Sequence, residues 1–361
     1  MKQGRSLMEL VSELERQRNM RKDYIADTRN LEISTDEGIS TLTMFLDNTT
    51  ESFKINETTH QQISSRLQIP YKYYQKMRAE YPTLLDENIN CWLNKRAEKR
   101  MIRILDGKVR AFLSDRYRRI DNLELLEAVL PIIKEMKGAE IISSEVTPTN
   151  MYIKVINKKL KAQVGLNDIV QAGLVISNSE VGLGSLKVEP LIYRLICKNG
   201  LIVKDHAQKR YHVGRQIEND DSAYEIFSDE TLEADDKAFF MKVQDTVRCA
   251  VDETKFNLGV EKLIKTKQED TGSDPVKTVE LLADKYLLNQ NERGGILRHF
   301  ILGSDSSRYG LINAVTRASQ DIEDYTRATE LERIGGEILS IPLTKNENTM
   351  KNITNLVNLA M

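Results

Sequence analysis

The chain has 361 residues, 29% charged and 40% hydrophobic, with a formal net charge of -2. That length buries a large core in one big domain or two smaller ones, and the composition is that of a globular protein rather than a disordered or fibrous one. No apolar run approaches the roughly 20 residues that cross a bilayer, and the three well-separated cysteines give no disulfide framework.

The first element is an amphipathic helix over 5–18, with Leu7, Leu10, Val11 and Leu14 at helical spacing. The N-terminus lacks a signal-peptide core, so a cytoplasmic protein is expected. Strand-like runs follow at Leu31–Ser34, Ile39–Leu46 and Ser52–Ile55. Thr58–Tyr81 reads as two short helices split near Ile69-Pro70, since proline suits a first helical turn. Its rhythm is that of a helix-turn-helix, though ordinary core helices share it. Another helix is expected over Leu84–Asn94.

Lys95–Arg119 is the most informative segment, with ten Lys or Arg residues and three acids. Asp106-Gly107 between two alternating runs signals a two-residue hairpin. Counting outward pairs Leu105 with Lys108, Ile104 with Val109, Arg103 with Arg110 and Met101 with Phe112. One face then carries Ile102, Ile104, Val109, Ala111 and Leu113. The other carries Arg103, Lys108 and Arg110, flanked by Met101 and Phe112. Like charges directly opposite destabilise a sheet by about 0.2–1 kcal/mol, so this face calls for an anion over it. Open to solvent, it is a platform for single-stranded nucleic acid, with cations on phosphates and a ring on bases. Covered, it needs Asp or Glu partners from another element. Arg116, Tyr117, Arg118 and Arg119 extend the basic track, with Tyr117 and Phe112 as stacking rings, and Lys95 and Arg96 precede it. Asp115 and Asp121 are the local acids able to pair with the loop arginines.

Asn122–Met136 is helical, with an expected interruption at Pro131 and a cap at Gly138. Strand-type runs occupy Glu140–Val146, Met151–Ile156, Ile169–Ser177, Leu186–Cys197 and Leu201–Val213. Asn199-Gly200 signals a second hairpin pairing Cys197 with Ile202 and Arg194 with Asp205. Ser177-Asn178-Ser179-Glu180 reads as a polar turn or a ligand-contacting loop. The stretch 216–236 has nine acids and no base, reading as a solvated linker or as a cover for a basic surface. Helical patterns then dominate, over Leu232–Thr254, Val276–Leu288, Tyr309–Gln320 and Tyr325–Leu339.

The expected fold class is α+β, a mostly antiparallel sheet with packed helices followed by a helical C-terminal part. Residues 1–215 form the body with the basic hairpin, 216–236 an acidic linker, and 237–361 the helical region. No phosphate-binding loop, metal-ligand spacing or nucleophile–base couple stands out, so neither cofactor nor metal is expected.

Several blocks together resemble a family of unknown function, the phage/plasmid-like proteins. They are Leu7–Glu13 with Asp23-Tyr24-Ile25, Ile69-Pro70 with Tyr73-Tyr74, Val109–Asn122, Ile176–Gly182, Cys197–Gly200, Asn313–Arg317 and Leu331–Gly336. Lys198 stands where a small or polar residue is expected. The resemblance implies a mobile-element protein of a bacterial cytoplasm and carries no activity with it. With the basic segment, the expectation is a non-enzymatic protein that binds single-stranded DNA, as an oligomer, through Lys95, Arg96, Arg103, Lys108, Arg110, Phe112, Arg116, Tyr117, Arg118 and Arg119. The alternatives are a nucleic-acid- or nucleotide-processing enzyme using distant acids such as Asp115, Glu180 and Asp205, and a host-interaction or structural protein using Glu218–Asp236.

Overall fold

The computed structural model describes residues 1–46, 49–117, 119–203, 229–272 and 274–341. The fold is α+β, built on two sheets, and ends in a helical region.

The first sheet has the order β1-β5-β6-β4-β3-β2. Its strands are β1 (Lys22–Asp27), β2 (Leu31–Asp36), β3 (Ile39–Leu46), β4 (Thr49–Ile55), β5 (Lys99–Leu105) and β6 (Lys108–Ser114). All neighbours are antiparallel except β4 and β6, which meet in parallel over two residue pairs. Between β4 and β5 come α2 (Glu57–Arg66), α3 (Tyr71–Glu80) and α4 (Pro82–Lys95). Period-2 alternation puts Leu31, Ile33, Leu42, Met44, Ile102 and Ile104 into one core with Ile63, Tyr74 and Ile89 of these helices. Helix α4 also covers the free edge of β2. The Asn90 amide accepts from the Ile33 N–H at 2.8 Å and donates to the Ile33 carbonyl at 2.9 Å, and Asp86 accepts from the Thr35 N–H at 2.6 Å. An edge left bare is a template for unwanted pairing.

The second sheet, order β11-β10-β9-β8-β7, is wholly antiparallel. It comprises β7 (Ala139–Val146), β8 (Met151–Gly165), β9 (Asp168–Asn178), β10 (Lys187–Arg194) and β11 (Asn199–Ile202). Met151, Ile153, Val155, Leu174 and Ile176 pack against α1 (Leu7–Met20), α5 (Asn122–Glu135) and α6 (Asp229–Ala250). Alternate residues of β8 point the other way, where Lys154, fully buried, meets the equally buried Glu332 at 2.6 Å. Glu332 lies on α11 (Tyr325–Ser340), which with α7 (Glu253–Lys265), α8 (Pro275–Tyr286), α9 (Gln290–Gly303) and α10 (Arg308–Ala318) closes the far end of the sheet. The Gly335-Gly336 pair lets α11 approach β11, because a side chain on Gly336 would strike the Ile202 carbonyl. No helix among the described residues is long and apolar enough to cross a membrane.

Three local expectations are corrected. The Asp106-Gly107 turn forms with both residues at positive φ (52° and 70°), as a type I′ turn requires, but β6 then bulges. Beyond Ile104–Val109, Arg103 pairs with Ala111 and Ile102 with Phe112, leaving Arg110 as the extra residue. The second hairpin turns over Leu195–Lys198, not at Asn199-Gly200, so that Arg194 faces Asn199. Lys198 supplies the positive φ (50°), while Asn199 is buried and donates to Thr316 at 2.6 Å. Helix α5 runs through Pro131 without a break. Of the acidic stretch 216–236, residues 229–236 belong to α6, and the rest lies outside the described residues, as do Asp205 and Arg118.

Candidate functional site

The bulge decides the fate of the arginine face. With Arg110 out of register, both guanidiniums reach the same neighbour from the second sheet, Glu180, just after β9. Arg103 donates to the Glu180 carbonyl at 2.9 Å, and Arg110 forms an ion pair with its carboxylate. Arg103 also binds Asp23 of β1 through Nε and Nη2, each at 3.0 Å, and Asp121 at 2.8 Å. Asp121 stands at the N-terminal end of α5, where its carboxylate turns to the arginines instead of capping the helix, and takes a second guanidinium, Arg21, at 2.5 Å. Glu180 accepts the Asn122 N–H at 2.6 Å.

Arg103 is 0% exposed and Arg110 7%. The open arginine platform expected from the sequence is therefore corrected. The anions over it are Asp23, Asp121 and Glu180, and of these Glu180 ties the first sheet to the second. Burial by itself pushes the Asp121 carboxyl up, but Arg103 and Arg21 outweigh it and hold it below the usual carboxylate range. Phe112 is also corrected as a stacking ring. The bulge turns it to the opposite face, 2% exposed, in the core with Ile102 and Val109.

Of the other expected residues, Tyr117 and Arg119 lie beside this network and the rest scatter. Tyr117 is half-buried and donates to the Ser179 carbonyl at 2.9 Å. Arg116 is half-buried in the turn after β6, and Arg119 is exposed, 3.7 Å from Asp23. Lys108 is exposed and pairs with the exposed Lys54 of β4. Asp115 lies in the loop and accepts a hydrogen bond from the Ser114 hydroxyl. Among the described residues, no three or more His, Cys, Asp or Glu side chains are placed to hold a metal ion.

Lys95 and Arg96 remain exposed, at the end of α4, and there they belong to a different feature. The α2–α3 turn and α3 face α4 across a groove of about 490 Å³ walled by Ile69, Tyr73, Met77, Leu84, Trp92 and Arg96. Tyr73 is 56% and Trp92 37% exposed, and the Arg96 guanidinium sits over the Trp92 ring at 4.7 Å. The i, i+4 spacing on α4 brings that pair together. Lys72 and Lys76 are exposed on α3. Beneath the groove, buried His60 and Tyr74 share a 2.8 Å hydrogen bond that ties α2 to α3. This groove was not expected as a site. Its signal in the sequence was the single tryptophan of the chain, followed four residues later by arginine.

Residues 110–334 match a protein family described as Domain of unknown function (DUF932). The chain belongs to that family. No curated protein and no solved structure matches the chain. The family region opens at Arg110 and takes in Asp121, Glu180 and the whole second sheet, whereas the α3–α4 groove lies before it.

Proposed function

We propose that the chain is a phage- or plasmid-encoded protein that binds single-stranded DNA through the α3–α4 groove, acting as an oligomer in strand protection or annealing. The observation that carries this reading is the exposed Trp92–Arg96 stack with Tyr73 in the same groove. Two rings open to solvent offer π-faces to successive bases, and base–aromatic stacking is worth about 1–3 kcal/mol per base. Arg96, with Lys95 beside it and Lys72 and Lys76 on α3, supplies cations for the phosphates. The cations of the buried network are already neutralised by carboxylates and contribute nothing to such a track.

The test is a salt-titrated affinity measurement with a fluorescent oligothymidine. The double variant Lys95→Glu/Arg96→Glu should bind more weakly, and its log K against log salt slope should flatten by about 1.4, two phosphate contacts at roughly 0.7 each. Unchanged affinity and slope would remove the groove as the interface.

One observation favours a second reading, that of a nucleic-acid- or nucleotide-processing enzyme: Asp23, Asp121 and Glu180 do converge beside the basic hairpin. Their engagement with guanidiniums speaks for a structural role. Metal-dependent degradation of single-stranded DNA that is lost in Glu180→Gln would favour the enzyme instead.

A further inference from the structure

The buried network leaves one donor unused. Arg110 spends one terminal nitrogen on Glu180, but its Nε, in a side chain only 8% exposed, has no hydrogen-bond acceptor. Buried polar groups are nearly always satisfied, and an exception calls for an explanation. Arg110 borders a pocket of about 190 Å³ lined by α1, β6, the start of α5 and Glu180 and open to solvent at Arg18, Glu124 and Glu127. That is well above the roughly 30 Å³ share of one water and below the roughly 300–1,000 Å³ of drug-sized pockets.

The charges around the pocket fall into two groups. Asp121 is taken by Arg103 and Arg21, and Glu180 by Arg110 and the Asn122 N–H. Left over are two basic groups, Arg18 of α1 and the Arg110 Nε of β6, and two acidic ones, Glu124 and Glu127 of α5. None of Arg18, Glu124 and Glu127 has an ion-pair partner among the described residues. Burial and the nearby Asp121 charge push the Glu124 carboxyl above its usual range, although Arg21 lies near enough to oppose them.

From this the geometry points to a binding site for a small zwitterion, a free α-amino acid, with its carboxylate on Arg110 Nε and Arg18 and its ammonium on Glu124 and Glu127. A simple oxyanion would face two unpaired glutamates. A simple amine would leave the Arg110 N–H without an acceptor. An amino acid satisfies both sides and bridges α1, β6 and α5, so it joins the two sheets at the point where Arg103 already holds them. This site is independent of the α3–α4 groove.

The experiment is calorimetric titration and thermal unfolding of the full chain with each proteinogenic amino acid, alongside propionate, propylamine and inorganic phosphate. At least one amino acid should bind saturably and raise the unfolding midpoint, while propionate, propylamine and phosphate should not. Arg18→Gln and Glu124→Gln lie on exposed faces and should preserve the fold. Each should weaken binding about tenfold or more, as befits the loss of a charge-assisted hydrogen bond. Three results would overturn the proposal: no saturable binding by any amino acid, stabilisation by phosphate or by either half-molecule alone, or unaltered affinity in both variants.

Discussion

Arg103 shows how a single buried charge shapes the molecule. Its guanidinium is wholly removed from water and answered by Asp23, Asp121 and a carbonyl. Removing one partner from such a set strands the others, which costs about 3–5 kcal/mol. Arg103→Met should therefore lower the stability read from urea unfolding by about that amount. Arg119→Met, which removes an exposed and more distant neighbour of Asp23, should cost under about 1 kcal/mol. The opposed arginines of the hairpin announced in the sequence that an anion was needed. They did not announce which, because the acids come from β1, the residue before α5 and the end of β9, up to 80 residues away. His60 makes a second prediction at this scale. Burial lowers its pKa from 6.5 to about 4 in the folded protein, so between those values the unfolded chain binds the extra proton. Stability is then fully present above about pH 6.5 and falls as pH drops towards 4, by on the order of 3 kcal/mol. Urea midpoints across that range check it, and a flat profile from pH 6.5 to 4.5 would contradict the burial of a neutral histidine.

At the scale of elements, alternation and turn chemistry located most strands, and helical periodicity located α1, α5, α8, α10 and α11. The misses have physical causes. A bulge adds a residue without leaving a mark in the hydrophobic pattern, and that one residue moved Phe112 to the opposite face. Asn199-Gly200 has turn composition for reasons unrelated to a turn: Asn199 bonds Thr316, and Gly200 leaves room for Leu191. Helix α9 carries Gly294-Gly295 and a weak apolar stripe, and it is held by packing of Ile296 and Phe300 rather than by propensity. The cover on β2 was also invisible, since Asn90 reads as one more polar residue on a helix. Asn90→Leu keeps the volume but uncaps the Ile33 backbone. It should cost about 1–3 kcal/mol and speed hydrogen exchange at the Ile33 amide. Protection equal to the parent protein would show that the side-chain cap contributes nothing.

At the scale of the whole molecule, the two sheets divide the labour. The second sheet with its helices makes up most of the family region, and the Arg110–Glu180 contact ties it to the first. The first sheet carries α2–α4 and presents the only tryptophan in the chain at the groove. The sequence made the basic segment legible as an electrostatic feature and left open whether it met solvent or acids. The fold divides it, burying Arg103 and Arg110 as fasteners while Lys95 and Arg96 stay exposed on α4. Because Trp92 is the sole tryptophan, its emission reports on the groove without any label. Titration with oligothymidine at low salt should quench that emission saturably, with added salt reversing the quenching. Oligothymidine that binds the protein while leaving Trp92 emission unchanged, or that fails to bind at low salt, would contradict the assignment of the groove.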